Sequence, residues 1–361
     1  MSGTLTDVRR PRRRNPIRLT TAGLAVALVA ASCSSGPAGG GPVTSGRAPA
    51  TDAAASPGST TSGAAYEPVT VENCGTTTTF EAPPERVVAL DVSTLETLLV
   101  LGLEDRIEGV VVAHRQPVRA DLQEAAARIT ELSEGHSPTK EALLAVDPDF
   151  ILASFESYLA EERGLSRGSL AELDIKTHVF NEECVTTSPT WDTLYGEIEV
   201  LGRIFGVQDR AAEMIGEMQA EVAEAEQAAA AASSRPRVFV YDSGDSAPFT
   251  AGGGGMEDLI IETAGGEHVF GDLEGPFGEV TWEEVVASDP EVIIINDYQD
   301  QSGTSTTIQA KEDFLKEYPA MAEVSAIRND RIVSIPLTNT FLSVRNTEAA
   351  VDVAELLNGE P

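Results

Sequence analysis

Several residue types are scarce in this chain of 361 residues. Only four are lysines, and acidic residues outnumber basic ones by 58 to 25, which gives a formal net charge of −33. So negative a chain is a poor partner for nucleic acid or for an anionic lipid surface. Unless local arginines compensate, the charge also disfavours a polyanionic ligand, and it mildly favours a neutral or cationic one. A solvated acidic surface, suited to high salt or to a high-GC genome, explains the charge without any partner.

Cysteine and histidine are also rare, with three cysteines and four histidines. A structural zinc site usually takes four such ligands, and a site for a bare metal ion gathers several histidines and acids, so neither site is expected. The sequence has no serine nucleophile elbow and no Cys–His pair. We therefore predict a binding protein, not an enzyme, without a resident cofactor.

The N-terminal residues predict a targeting segment. The apolar run from Leu19 to Ala31 is shorter than the roughly 20 residues of a membrane-spanning helix. It follows six arginines and precedes Ser32-Cys33, an order typical of a secretory signal. Residues 29–33, Val-Ala-Ala-Ser-Cys, are similar to the lipobox of bacterial lipoproteins, so Cys33 is expected to carry lipid. Ordinary secretion is the alternative. Residues 34–65 are rich in Gly, Ser, Pro and Thr and predict a flexible tether.

Two cysteines remain after lipidation, Cys74 and Cys184. An even pair in an oxidising compartment favours a disulfide between them. Two buried free thiols are the alternative.

Two distant stretches of the chain are nearly the same. Residues 139–152 read TKEALLAVDPDFIL, and residues 281–294 read TWEEVVASDPEVII. Each predicts a short helix, an Asp-Pro stop and a buried strand. In each, a glutamate stands six residues before the Asp-Pro, at Glu141 and at Glu283. A helix–strand unit repeated in this register predicts two similar lobes.

Strands alternate with helices along the rest of the chain, which is typical of α/β proteins with parallel sheets. Residues 86–91 and 237–242 each predict an apolar strand with an aspartate at its carboxyl end. Ser93 and Glu96 are spaced as the capping box of the next helix. Apolar residues from Trp191 to Phe205 recur about every 3.6 residues, which predicts a helix that joins the lobes as a stiff rod. A second long helix is predicted over residues 209–232.

The predicted domains follow from these elements. They are a signal peptide (1–32), a lipid-attached tether (33–65), an N-terminal lobe (66–188), a bridging helix (189–206) and a C-terminal lobe (207–361).

With these residues the chain resembles the substrate-binding lipoproteins of ABC importers for iron-siderophores, haem and cobalamin. The resemblance covers about residues 66–357 and rests on four stretches in order, 84–91, 141–152, 264–270 and 281–295. It implies two Rossmann-like lobes with parallel sheets, joined by one long rigid helix. The ligand is then expected between the lobes, beyond the carboxyl ends of the strands.

The resemblance also implies partners. An ABC permease dimer with its ATPase would receive the ligand, and Glu141 and Glu283 would pair with arginines of the two permease subunits. Helix capping is the alternative for both acids, because each follows a threonine at a helix start, where the helix dipole favours a negative side chain.

Residues just beyond the predicted strand ends are the candidate ligand contacts. Aromatic walls with a few arginines suit a bulky ring system or a metal chelate, whose oxygens the arginines would hold. Packing of the aromatic rings within a lobe, pairing of Arg345 with an acid, and helix capping by the aspartates are the alternatives. The candidates are Asp91, Arg115, Phe155, Tyr158, Tyr241, Asp242, Phe249, Tyr298, Phe341 and Arg345.

We therefore expect a monomeric, lipid-anchored protein on the outer face of the cytoplasmic membrane, which captures an iron-siderophore-type chelate for an ABC importer. Haem, held by a single tyrosine or histidine, and cobalamin are alternative ligands. A ligand-sensing lipoprotein and a secreted enzyme on the same fold are alternatives of other classes.

Overall fold

The computed structural model describes residues 66–112, 116–133, 138–159, 161–180, 188–299 and 307–359. The strands are β1 Val69–Asn73, β2 Thr76–Phe80, β3 Val87–Ala89, β4 Ile107–Val111, β5 Glu131–Ser133, β6 Phe150–Ala153, β7 Lys176–Val179, β8 Arg237–Tyr241, β9 Phe249–Ala251, β10 Glu267–His268, β11 Phe277–Glu279, β12 Val292–Asp297 and β13 Ile332–Pro336. The α-helices are α1 Val92–Val100, α2 Gln123–Ala126, α3 Lys140–Ala145, α4 Arg167–Ala171, α5 Trp191–Phe205, α6 Gln208–Ala231, α7 Met256–Thr263, α8 Trp282–Ser288, α9 Ile308–Glu317, α10 Ser325–Arg328 and α11 Asn346–Asn358. Over these ranges, no helix combines the length and the hydropathy that crossing a membrane requires.

Each lobe is built on a parallel sheet. The first sheet has the strand order β5-β4-β3-β6-β7, and the second has the order β10-β8-β12-β13. The order β4-β3-β6-β7 in the first lobe therefore corresponds to β10-β8-β12-β13 in the second. The predicted pair of parallel α/β lobes is confirmed, and the internal duplication extends to the strand order. Two antiparallel strand pairs were not predicted: the hairpin β1-β2, and the pair β9-β11, whose strands are separated in the chain by α7 and β10.

The two repeated motifs of each lobe contact each other. In the first lobe the Nε of Arg86 donates to the carbonyl oxygen of Asp147 and lies 3.5 Å from its carboxylate. In the second lobe the Nε of Arg237 donates to the carbonyl oxygen of Asp289 at 3.0 Å, and its guanidinium lies 3.4 Å from that carboxylate. Both aspartates adopt a left-handed backbone, with φ of 47° and 42°. Aspartate tolerates this conformation better than most residues, which suits it to the turn from helix to strand.

Helices α5 and α6 both connect the lobes. At the start of α5, Trp191 donates from its ring Nε1 to Thr263 in α7 at 3.1 Å, whereas Leu201 of the same helix is buried in the first-lobe core. Helix α6 places Met218 in the first-lobe core and Ala225 in the second-lobe core. Both helices therefore contact both lobes, and the domain boundaries, including those of the bridging helix, stay a prediction.

The first helix begins differently from the prediction. Asp91 is its N-cap: the carboxylate accepts a hydrogen bond from the backbone N–H of Thr94 at 2.8 Å, and the Thr94 hydroxyl oxygen accepts one from the Asp91 N–H at 3.2 Å. The predicted capping box of Ser93 and Glu96 is therefore wrong. Ser93 already lies within the helix, and Glu96 is fully buried in a contact between the lobes.

Candidate functional site

A cavity of about 240 Å³ lies between the lobes, where the central strands of both sheets end. Strand β3 leads into its first-lobe wall, and strands β8 and β12 lead into its second-lobe wall. Open α/β sheets bind their ligands at this edge. The lining residues are Asp91, Val92, Ser93, Gln116, Ser154, Phe155 and Tyr158 from the first lobe, and Asp242, Phe249, Phe277, Tyr298, Leu337 and Phe341 from the second.

Five aromatic side chains form a continuous row across this cavity, here called the aromatic row. Tyr158 and Phe155 of the first lobe have ring centroids 5.5 Å apart. Phe155 meets Phe341 of the second lobe at 5.0 Å, and Phe341 lies 5.9 Å from Phe277. Phe249 stacks on Phe277 at 5.9 Å. Aromatic pairs at these separations attract each other, so the row both closes the lobes and offers a surface for a ring-shaped ligand.

The Asp242 carboxylate forms the polar part of the second-lobe wall. Its oxygens accept hydrogen bonds from the Asn296 amide at 3.2 Å, the Tyr298 hydroxyl at 2.8 Å and the Ser243 hydroxyl at 3.0 Å. Burial, followed by the Asp242 charge, raises the pKa of Tyr298 far above its ordinary value, so Tyr298 keeps its proton as a donor. Lys311 donates to the carbonyl oxygens of Asp242 and Asn296, and its ammonium lies 4.5 Å from the Tyr298 ring centroid.

Glu257 lies behind this wall in the first turn of α7. Its Oε2 accepts a hydrogen bond from Asn296 at 3.2 Å, while its Oε1 has no partner among the described residues. Burial raises the pKa of Glu257 from 4.5 to about 8, the Asp242 charge adds to the rise, and Asn296 and Lys311 oppose it. The Glu257 side chain is therefore protonated at neutral pH.

Asp91 occupies the matching position on the first-lobe wall. Besides capping α1, its carboxylate accepts a hydrogen bond from the backbone N–H of Ser154 at 3.0 Å. Burial raises the pKa of Asp91, and the hydrogen bonds from Thr94 and Ser154 act in the opposite direction. Asp91 and Asp242 thus follow corresponding strands of the two lobes, and both line the same cavity.

Most of the predicted contact residues come together here. Those that line the cavity are Asp91, Phe155, Tyr158, Asp242, Phe249, Tyr298 and Phe341. Arg115 lies outside the described residues. Tyr241 does not line the cavity: its side chain is 2% exposed and packs in the second-lobe core between Phe239 and Trp282. Successive side chains of a strand face opposite ways, so Tyr241 turns inward where its neighbour Asp242 turns to the cavity.

Arg345 does not line the cavity either. Its Nε donates to Glu96 at 2.6 Å, and a second guanidinium nitrogen donates to the other carboxylate oxygen. The same guanidinium donates to the Thr338 hydroxyl and to the Pro117 carbonyl oxygen, both at 2.9 Å. The Glu96 and Arg345 side chains are only 0% and 9% exposed. Glu96 belongs to the first lobe and Arg345 to the second, so this pair joins the lobes.

Sequence reasoning missed six lining residues, Val92, Ser93, Gln116, Ser154, Phe277 and Leu337. The strand-end rule could have found Ser154, because it directly follows β6. Phe277 carried no such signal, since it belongs to the antiparallel pair β9-β11, which no repeated motif predicted.

The repeated glutamates occupy the same position of their helices. Glu141 is the second residue of α3 and Glu283 the second residue of α8, and both side chains are exposed. The hydroxyls of Thr139 and Thr281 cap these helices. In α8 it is Glu284 that completes the capping box, so capping does not require Glu283.

Two further predictions fall partly outside the described residues. Cys74 lies in the turn between β1 and β2, while Cys33 and Cys184 are not described. The lipid attachment and the disulfide therefore stay predictions.

Comparison with known proteins agrees with the two-lobe cleft. The model of the periplasmic binding protein family matches residues 87–337. The chain belongs to this family. A curated relative, the cobalamin-binding protein of Halobacterium salinarum, is 28% identical over 273 residues, which cover 73% of this chain and 69% of the relative.

Solved structures of the family superpose on most of the chain. A periplasmic binding protein from Veillonella parvula has a TM-score of 0.73 and 25% identity, covering 81% of this chain and 98% of its own. An ABC-type Fe3+-hydroxamate transport system protein from Saccharomonospora viridis has a TM-score of 0.67 and 27% identity, covering 81% and 99%.

Family membership confirms the predicted class. Periplasmic binding proteins serve ABC transporters outside the cytoplasm and are solute-binding proteins, so the chain is a binding protein and not an enzyme. The family includes proteins for more than one chelate, and it does not distinguish the predicted iron-siderophore from cobalamin.

Proposed function

We propose that this chain captures a bulky metal chelate between its lobes and delivers it to an ABC importer. The observation that carries the proposal is the aromatic row, which crosses the cavity from one lobe to the other. A chelate that replaced the Phe155–Phe341 contact would stack on both lobes at once, so its binding would stabilise their closure. The metal would arrive within the chelate, and no resident cofactor is proposed.

The size of the cavity indicates how the ligand enters. About 240 Å³ is less than the roughly 300–1,000 Å³ of sites for drug-sized ligands. A chelate therefore requires the lobes to part, and the ring contact between Phe155 and Phe341, at 5.0 Å, is the contact that must open. Ligand binding would then exchange one ring contact between the lobes for contacts of both lobes with the chelate.

Two chelates are the leading candidates. A ferric hydroxamate is the ligand expected from the sequence, and the structural neighbour named for Fe3+-hydroxamate transport supports it. Cobalamin is the second candidate, because the Halobacterium relative is named as a cobalamin-binding protein. Both ligands offer an apolar or conjugated surface to the aromatic row. Both also carry hydrogen-bonding groups for the polar side chains of the cavity walls, such as Asp91 and Asp242.

Delivery would use the repeated glutamates. Glu141 and Glu283 stand exposed at the same helical position of the two lobes. A dimeric permease presents two equivalent surfaces, and matching acids from one chain would meet equivalent arginines on both. Exposed opposite charges of this kind mainly orient and select a partner.

Uptake measurements test the delivery. Deletion of the gene should abolish uptake of one labelled chelate, and the wild-type gene should restore it. The double variant Glu141→Ala/Glu283→Ala should bind the chelate with wild-type affinity but restore no uptake. The variant Glu172→Ala/Glu355→Ala removes the same charge from other exposed positions and should restore uptake fully. Normal uptake with Glu141→Ala/Glu283→Ala would contradict the proposed role of these glutamates in docking.

We also propose that a lipid on Cys33 anchors the protein to the outer face of the cytoplasmic membrane, as the sequence before that cysteine predicts. Labelled palmitate should be incorporated into the wild-type protein and not into Cys33→Ala. Equal labelling of both proteins would contradict the attachment.

A further inference from the structure

Two basic side chains of the described part of the chain, Arg345 and Lys311, lie close to residues of the cavity wall and make other contacts. The guanidinium of Arg345 forms an ion pair with Glu96, and the ammonium of Lys311 donates hydrogen bonds to the main-chain carbonyl oxygens of Asp242 and Asn296. Among the described residues that line the cavity there is no lysine or arginine. The lining residues that the structure describes therefore supply no positive charge to hold an anion.

The two carboxylates on the cavity walls are oriented and still have acceptor capacity. Asp91 accepts three hydrogen bonds, two from Thr94 and one from Ser154. Asp242 also accepts three, from different partners on its own lobe. A carboxylate has about four acceptor positions, so each retains about one. Their donors fix both groups in place before any ligand arrives.

A further polar atom lies on the first-lobe wall. The Ser154 side chain is 5% exposed and lines the cavity, and its Oγ meets no partner of normal geometry but lies beside the Asp91 carboxylate, whose pKa it helps to lower. A hydroxyl that donates to a carboxylate still has lone pairs on its oxygen, so the Ser154 Oγ could accept a hydrogen bond from a ligand group within reach. Ser154 directly follows β6, next to the strand that leads to Asp91, so it would meet the same end of a ligand.

We infer that the cleft selects a neutral or cationic chelate, which donates hydrogen bonds to Asp91 at one end and to Asp242 at the other, and that it rejects polyanionic chelates. The inference rests on the proposed function. The aromatic row would contact the apolar middle part of such a chelate. The two carboxylates would bind neutral or positively charged groups at its ends and repel negatively charged ones. An anionic group would face a carboxylate on either wall in a site of low dielectric constant, where repulsion is stronger than in water.

A matched charge series tests the inference by isothermal titration calorimetry with the purified protein. Ferrioxamine B carries an ammonium, its N-acetyl derivative is neutral, and its N-succinyl derivative carries a carboxylate. Cyanocobalamin and its monocarboxylic acid form a second pair on the corrin scaffold. On whichever scaffold binds, the carboxylate member should bind at least about tenfold more weakly than the neutral or cationic member, which is the effect of one unfavourable charged contact.

Isosteric variants assign the effect to the two aspartates. The measured quantity is the ratio of the Kd of the carboxylate member to the Kd of the neutral or cationic member. Asp242→Asn and Asp91→Asn should each lower this ratio by about tenfold. Asparagine caps a helix about as well as aspartate, so Asp91→Asn should keep α1 intact. Asp147→Asn removes one formal charge at an exposed site away from the cavity and should leave the preference unchanged.

The outcomes separate the inference from the proposed function. Equal or tighter binding of the carboxylate member overturns the charge selection and leaves the capture of a chelate standing. An unchanged preference in a folded Asp91→Asn protein overturns the role of the aspartates, even if Asp242→Asn does not fold. Failure of every member of both scaffolds to bind overturns the proposed function and the inference together.

Discussion

Glu257 shows how burial sets the state of a single side chain. Its carboxyl group is 1% exposed, next to the Asp242 carboxylate, and one of its oxygens has no partner among the described residues. Burial disfavours the charged form, which raises the pKa from 4.5 to about 8. The folded protein therefore holds a proton on Glu257 at a pH at which the unfolded chain has released it.

This difference makes folding dependent on pH. Below pH 4.5 both states carry the proton, and between 4.5 and about 8 only the folded state does, so the free energy of unfolding decreases as the pH rises through this window. Glu257→Gln mimics the protonated acid and should remove that dependence. We expect the wild type to lose up to about 1.4 kcal/mol per pH unit more than the variant. Urea unfolding at several pH values measures this.

An exposed acid provides the control for this prediction. Glu355→Gln on α11 removes a carboxylate that faces solvent and should leave the slope of the wild type unchanged. Parallel pH profiles for the wild type and Glu257→Gln would show that Glu257 is ionised in the folded protein.

Strand-end position was a good guide to individual cavity residues. Asp91 and Asp242 were predicted because each follows an apolar strand, and both line the cavity. The same rule also selected Tyr241, one residue too early, and the alternation of a strand turns that ring into the core. The sequence does not show to within one residue where a strand ends. Because successive side chains face opposite sides of the sheet, an error of one residue places a core side chain in the cavity.

The Glu96–Arg345 pair shows what sequence reasoning cannot see between elements. The two residues are separated by 249 positions, so neither the helix α1 nor the loop before α11 indicates the contact. Glu96 had a local explanation as a capping residue, and Arg345 had a plausible one as a ligand contact. Their pairing became apparent only when both lobes were folded and the two charged groups were buried together.

A double-mutant cycle tests the strength of this contact between elements. Removal of one partner leaves a buried charge without its counterion, so Glu96→Leu and Arg345→Met should each destabilise the protein by about 3–5 kcal/mol. The combined variant should recover much of that loss, because it leaves no unpaired charge. Urea unfolding of the four proteins gives the coupling free energy. Additive losses in the double variant would show that the two side chains do not act as a pair.

Elements with internal repeats were the most predictable ones. The strands of residues 86–91 and 237–242 and the two Asp-Pro units fold as expected, because each carries an apolar pattern and a turn signal. The antiparallel pair β9-β11 was missed, although it brings Phe249 and Phe277 to the cavity. Its strands have three residues each, and a pattern so short has no readable period.

At the scale of the whole molecule, the part of the chain that the structure describes forms two lobes with one strand order, which face each other across the cavity. The duplication explains why an aspartate of each lobe lines the cavity and why a glutamate of each lobe stands exposed at the same helical position. In the structure the lobes touch through Phe155 and Phe341 and through the buried Glu96–Arg345 pair. The ring contact lies in the cavity and the ion pair lies outside it, so the ligand can replace the first and leave the second in place.

Direct binding of chelates to the purified protein tests the central claim. Isothermal titration against a ferric hydroxamate, cyanocobalamin and haem, with Trp191 fluorescence as a reporter of the contact between α5 and α7, measures both affinity and lobe movement. We predict that one chelate binds with one-to-one stoichiometry and a Kd below about 1 µM, and that Phe341→Ala, which shortens the aromatic row, weakens that binding. Absence of binding by every chelate, or undiminished binding by Phe341→Ala, would contradict capture of a metal chelate between the lobes.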